Sequence, residues 1–545
     1  MDHDRFALAV HNRLPRWLCR SLVVSSTAVV ALFTVIPLAN LLRATATRSS
    51  ISAVLAIPGI SRILWFTLWQ AAVSTVATLA VAIVPSYVVG RYQFRGRSLL
   101  LAGSTLPFMM PTVVVGAALL AVMPQRLHNT SVAMIVGHAW INLAVAMRIL
   151  VPSWRALSTD STAAARTLGS TDRQVFRWVV LPSMHSALTA AALLTFAFSF
   201  TSFGIAKVMG GPRHPTWEVE IARRATQLGD VDGAAVMSIV QVILVGAVAV
   251  ILARLRRGQP APAGRRPIRA VRSSRQRRLV YPTVAASAAI IAIPLTTLVV
   301  SSLRVGANWS LGGWRWGANV VDRPGVSLGV SPMDSILRSV GFAVLATVLA
   351  TTVGTVAALA IATSRSDGRP WQGRTLEVGF LLPLAVSAVV TGFGFLVTFD
   401  QSPFDWRSRW FMTPLCHAMI GAPFVARAVL PSLTAQIGSG NRAAAATLGA
   451  APITAWWWAQ VAMLRHPIAG GAGLAAAISL GDFGASAVLS RTGSPTAPMA
   501  IASLLTRPGD LARVQGHSLA VVLMVLVVVA VLLADRSLGG ADADR

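Results

Sequence analysis

Few side chains in this 545-residue sequence are placed to do chemistry. Lys207 is its only lysine, with Ala206 before it and Val208 after it. A phosphate-binding P-loop needs Gly-Lys-Ser/Thr, because backbone amides and the lysine together cradle the nucleotide phosphates. The chain therefore cannot hydrolyse ATP by that route, and it is not expected to be an enzyme. Glu218, Glu220, Asp230 and Asp232 are spread along one polar segment and form no nucleophile–base constellation. His138 and His417 recur in a shared His-Ala-x-Ile pattern. Two histidines make a thin metal site, and interhelical packing is their simpler role, so no metal or other cofactor is expected. Asp482 stands apart, mid-way along an apolar run in Ser479-Leu-Gly-Asp-Phe-Gly484. An ionisable group at a bilayer centre costs about 2.5–3.5 kcal/mol on insertion scales. Lining a transport pathway and bonding one helix to another both account for it.

The elements that must position these residues are membrane helices. The chain is 54% hydrophobic and 12% charged, and a run of about 20 apolar residues spans the hydrocarbon layer. Twelve such runs are predicted, near 21–42, 63–89, 99–123, 130–151, 188–209 and 235–255, then 279–302, 336–364, 376–399, 412–430, 468–490 and 514–534. The fold class is thus an all-α polytopic membrane protein of about twelve helices. It also contains a duplication. Residues 161–230 lie over 441–510 without a gap, 21 of the 70 positions being identical. In that register Ser202 matches Asp482, so both halves carry a polar group at one depth. Pro107 and Pro383 interrupt the third and ninth runs and, with Ser202 and Asp482, are the candidate pathway residues, since broken helices line transport routes.

The net charge of +28 is not a nucleic-acid signature. Ten arginines and no acid fall between Arg254 and Arg278, in a Pro/Ala/Gly-containing stretch between the sixth and seventh runs. The positive-inside rule places such a linker on the cytoplasmic side. Six helices per half return the chain to its starting side, so the repeats run parallel, with both termini and both repeated polar loops cytoplasmic. The expected organisation is a first half at 1–253 with its loop at 153–187, a linker at 254–278, and a second half at 279–545 with its loop at 432–467. Cys19 and Cys416 lie at or within apolar runs and imply no disulfide framework. Arg13, Arg16 and Arg20 precede a first run of about 22 residues without a clear cleavage signal, which reads as an uncleaved helix.

Each repeated loop has one grammar. A helix meets Pro152 or Pro431, a small-residue segment ends at Gly169 or Gly449, and aromatics follow at Phe176 and Trp178 or at Trp456, Trp457 and Trp458. Alanines at 163–165 and 443–445 leave a smooth helical face that another protein can approach, and glycine is the usual stop for such a helix. An amphipathic segment lying on lipid headgroups is the plainer alternative. The pattern Ala164-Ala165-x-x-x-Gly169, then Phe176 and Leu181-Pro182, resembles the "EAA" loop of binding-protein-dependent ATP-binding-cassette importer permeases. Leu106-Pro-Phe-Met-Met-Pro-Thr-Val-Val-Val115, Phe203-Gly204 with Gly481-Asp482-Phe483-Gly484, and Thr216-Trp-Glu-Val-Glu-Ile221 resemble the fused, two-halved permeases of ferric-iron and thiamine importers. Two departures concern docking. Ala163 and Ala443 stand where that family has its leading glutamate, and Ala462 stands where the first copy keeps Pro182.

The resemblance implies a transport subunit of a prokaryotic inner membrane. Its coupling helices, carried by Ala164, Ala165 and Gly169 and by Ala444, Ala445 and Gly449, dock on a separate ATPase present in two copies. Polar segments near 210–233, 304–335 and 491–513 are too short to be a ligand-binding domain, so a separate extracytoplasmic protein is expected to deliver the solute, ferric iron or thiamine. The alternative is an ion-gradient-driven secondary transporter, which predicts coupling carboxylates in the membrane and offers Asp482 alone.

Overall fold

In lipid no water satisfies free N–H and C=O groups, so the apolar runs close their hydrogen bonds internally as helices. The computed structural model describes residues 16–48, 54, 57–257, 268–316, 331–366, 368–400, 402–406, 409–438, 441–490 and 494–543. Among them are ten helices long and apolar enough to cross a membrane, or twelve when two sharply bent pairs each count as one span. In the first half, α1 is Trp17–Arg43, α2 Ile60–Arg91, α3 Arg97–Met109, α4 Thr112–Val122 and α5 Ser131–Ala156. The short α6, Thr159–Thr167, leads into α7, Asp172–Phe200, followed by α8, Trp217–Arg223, and α9, Val231–Arg257. The second half repeats the series as α10 Ser274–Ser301, α11 Pro332–Ser366, α12 Pro370–Ala385, α13 Ala388–Phe399 and α14 Met412–Gly438. It ends with α15 Asn441–Thr447, α16 Pro452–Gly481, α17 Gly484–Leu489, α18 Ala497–Thr506 and α19 Asp510–Ala543.

The third and ninth runs are not straight. α3 and α4 meet at 107°, α12 and α13 at 99°. The bends fall a few residues beyond Pro107 and Pro383, which lie inside α3 and α12. The first comes at Met110-Pro111, where Met110 is extended (φ −75°, ψ 146°) because a following proline ring disfavours the helical region. The second comes at Val386-Ser387, where Ser387 caps α13 by accepting the Val390 N–H at 3.2 Å. The fifth and eleventh runs start earlier than composition suggests, since the aromatic stretches join α7 and α16 as their first turns. They then stop at residues 201–203 and 482–483 before a further helical turn.

Packing rather than hydrophobicity holds helices together in lipid, which favours small residues at contacts. α11 crosses α14 so closely that a Cβ at Gly354 would sit 2.6 Å from the Ala422 carbonyl. The first helix of each half packs on the opposite half. Val30 of α1 is buried with Ala346, Ala350 and Phe380, and the Phe33 ring lies 6.0 Å from that of Phe395. Asn40 Nδ2, near the end of α1, donates to Thr398 Oγ1 at 3.2 Å. Reciprocally, Val280 and Ile291 of α10 are buried among Ala82, Leu143 and Ala146. Trp140 Nε1 of α5 donates to the Ile290 carbonyl at 2.7 Å. Of the arginine-rich linker, residues 258–267 lie outside the described ones. Its far end pairs Arg269 and Ala270 in parallel with Tyr92 and Gln93 of the first half.

Candidate functional site

The two polar loops fold alike. Ser158 Oγ accepts the Ser161 N–H at 3.1 Å to start α6. At its end the amides of Leu168, Gly169 and Ser170 bond the carbonyls of Ala164, Arg166 and Ala165 at 3.0 Å each. Gly169 takes φ +82°, a left-handed value that costs other residues strain. In α15 the amides of Leu448, Gly449 and Ala450 bond Ala444, Ala446 and Ala445 at 3.2, 3.0 and 3.1 Å, with Gly449 at φ +85°. Ala164 and Ala444 are exposed, Ala165 and Ala445 half-buried. Each cap projects a leucine, Leu168 at 85% and Leu448 at 88% exposure. Sequence reasoning passed over this pair, although Thr-Leu-Gly is identical in both copies. At the positions of the family glutamate, Ala163 is exposed, and the side chain of Ala443 lies outside the described residues. Arg166 turns back on its own loop, donating to Asp172 at 3.0 Å.

At the other end of α7 and α16 the helix breaks meet. Phe203 and Phe483, equivalent in the repeat, lie ring against ring at 4.9 Å. A Cβ on Gly204 would fall 1.9 Å from Thr112 Oγ1, and one on Gly484 3.0 Å from Ala388 Cβ. Glycine at these positions lets each break seat against the bend of a neighbouring helix pair. On the side away from the polar loops, the two halves line a half-open cavity of about 250 Å³. Its walls are built from matched positions: Phe203 with Phe483, Ala222 with Ala502, Thr226 with Thr506.

Asp482 is turned away from this cavity and into protein. Its Oδ2 lies 3.1 Å from His417 Nε2 and accepts the Ser486 N–H at 3.0 Å, capping α17. His417 Nε2 also lies 3.1 Å from Ser486 Oγ, and its Nδ1 3.0 Å from Ser479 Oγ. The first half has a weaker version, with His138 Nδ1 3.4 Å from Ser74 Oγ and its Nε2 without a partner among the described residues. Ser202, half-buried, occupies the break beside Phe203. Pro107 and Pro383 are buried within their helices; Pro383 borders a small apolar pocket that Phe33, Pro37 and Met419 also line.

The acids that look scattered in sequence are partly gathered. Glu220 accepts from Arg223 Nε at 2.7 Å and from Arg224 Nε at 2.9 Å, and Arg224 also binds Asp230. Glu218 is buried against Gln241. Among the described residues no three His, Cys, Asp or Glu side chains converge as a metal site.

Residues 82–256 match the family described as binding-protein-dependent transport system inner membrane component. The sulfate transport system permease protein CysT of Salmonella typhimurium is 32% identical over 195 residues, 33% of this chain and 69% of that protein. The thiamine transport system permease protein ThiP of the same organism is 23% identical over 459 residues, 79% of this chain and 81% of its own length. ThiP of Brucella abortus is 24% identical over 503 residues, 87% of each. With twin capped loops at one end and a shared interface cavity at the other, this chain belongs to the binding-protein-dependent transport system inner membrane component family.

Proposed function

We propose that the chain is the whole membrane pathway of an ATP-driven importer, with residues 1–253 and 279–545 as its two halves. Two ATPase copies sit on α6 and α15, in the cytoplasm with both termini, and an extracytoplasmic binding protein hands solute to the opposite face. The observation that carries this reading is the duplicated cap, with one hydrogen-bond pattern, one left-handed glycine and one exposed leucine at matching places. A single ATPase pair closing on ATP would pull both loops at once. α7 and α16 would transmit that pull to the Phe203–Phe483 contact, which would part as the halves rock and join the cavity to the other side. A shape-based contact through leucine and alanine needs no glutamate at 163 or 443.

Thiamine and ferric iron are the solutes favoured by sequence resemblance. The thiamine permeases support the first by aligning over most of the chain, while the sulfate permease adds an oxyanion to the candidates. The test is uptake of labelled thiamine, ferric iron and sulfate in cells with and without this gene, repeated with Gly169→Val and Gly449→Val. The expected result is one solute whose uptake needs both the gene and the two glycines. Uptake that needs the gene but ignores both loop changes would overturn the ATPase-coupled reading.

A further inference from the structure

The interface cavity is symmetric in shape and asymmetric in charge. Lys207 lines it from the first half, exposed, one turn beyond Phe203, whose carbonyl its amide bonds at 2.8 Å. The matching residue in the second half is Ala487. Arg223 also lines the first-half wall, opposite Ser503, but Glu220 holds it through two bonds of 2.7 and 2.9 Å. Arg224 and Asp230 complete that group, so two arginines and two carboxylates cancel. Among the described residues Lys207 makes no side-chain hydrogen bond or ion pair, and none of those lining the cavity is a carboxylate. Among the described lining residues Lys207 is therefore the one cation without a carboxylate partner, and it biases the field of this half-open cavity towards anions. The chamber is also smaller than the roughly 300–1,000 Å³ typical of pockets that bury drug-sized ligands.

Resting on the permease reading, we propose that this chamber selects a solute bearing an oxyanion group, with Lys207 as its counter-charge. The oxyanion is either the solute itself or a substituent on a larger one. A bare cation would meet like charge there, before the Phe203–Phe483 contact opens.

Two measurements test this. The first reads the field without knowing the solute. In the full chain with Cys19→Ser, Cys416→Ser and Ala487→Cys, the cysteine is modified by an anionic and a cationic methanethiosulfonate, each normalised to its rate on glutathione. Lys207 should favour the anionic reagent, on the order of fivefold per reagent charge, and Lys207→Gln should remove that preference. A rate ratio that Lys207→Gln leaves unchanged overturns the proposal.

The second is uptake of labelled sulfate, phosphate, thiamine, thiamine monophosphate and ferric iron. Gene-dependent uptake of sulfate or phosphate marks a free oxyanion, and of thiamine monophosphate alone an esterified one. In either case Lys207→Glu should lower uptake at least tenfold while Lys207→Arg keeps it. Gene-dependent uptake of unphosphorylated thiamine or ferric iron that Lys207→Glu leaves intact refutes the oxyanion. Loss of loop dependence with Gly169→Val, by contrast, refutes the importer reading itself.

Discussion

His417→Ala, made in a Cys19→Ser background, tests whether Asp482 is a structural group or a pathway group. The imidazole bridges Asp482, Ser486 and Ser479 at 3.0–3.1 Å. Its removal leaves a carboxylate only 6% exposed and held by a single backbone N–H. Breaking a buried pair from one side typically costs about 3–5 kcal/mol in soluble proteins. Interhelical polar pairs in membranes are worth less, averaging about 0.6 kcal/mol with a maximum near 1.7, because the lipid-embedded unfolded state also finds partners. A stranded buried acceptor adds about 1–3 kcal/mol, so a loss of about 2 kcal/mol is expected. Asp482→Ser installs the residue that the first half carries at 202 and keeps a short acceptor for α17, at an expected cost of about 0.5–1 kcal/mol. The double variant is the decisive one. Removing the stranded carboxylate should recover about 1 kcal/mol relative to His417→Ala alone. Cys416, fully buried beside His417, reports the transition as its thiol becomes reactive during denaturant unfolding in detergent. A double variant less stable than His417→Ala would refute the reasoning. So would an Asp482→Ser protein of normal stability that no longer transports, which would return Asp482 to the pathway.

Leu168→Glu with Leu448→Glu should abolish copurification of the ATPase while shifting stability by no more than about 0.5 kcal/mol, since both side chains face solvent. Gly204→Ala places a Cβ 1.9 Å from Thr112 Oγ1 and should cost about 1–3 kcal/mol by overpacking; Thr112→Ala should restore part of it in the same unfolding assay. Phe203→Ala with Phe483→Ala removes the ring contact at the breaks, and proteoliposomes should then leak a small trapped dye, whereas tight vesicles would show that the seal lies elsewhere. A chain divided within 258–267 and expressed as two pieces should still copurify as a pair, because α1 and α10 each pack on the opposite piece.

The helices were legible because hydropathy reports what lipid requires, and the loop cap because duplication repeats its glycine. The bends at Met110-Pro111 and Val386-Ser387 were harder to place. Apolar composition runs straight through them, and Pro107 and Pro383 are the more conspicuous breaks in the text of the chain. Neighbours were not legible at all. Nothing in the composition of 21–42 says that its faces belong with Phe380 and Phe395, hundreds of residues later. Asp482 announced itself by its cost, but its partner His417 is 65 positions away and, read alone, looks like core. Lys207 was visible as the only lysine, yet its use depends on a cavity that forms only when the two breaks meet.

The exchange of first helices also sets a timetable for synthesis. α1 leaves the ribosome before the other described spans, but the second-half residues packed on Val30 and Phe33 begin near Ala346 and end near Phe399. The C-terminal part of α1 finds α9 within its own half, but roughly 300 residues made at about 5–20 per second leave Val30 and Phe33 without these partners for about 15–60 s. A helix with such a wait must be content in bare bilayer, and α1 is the least buried of the first-half spans at 22%. α10, also 22% buried, has the opposite history, since its seat among Ala82, Leu143 and Ala146 is complete before it is made. The first half therefore receives part of its packing only from the second, whereas the second opens on a seat that the first has already built.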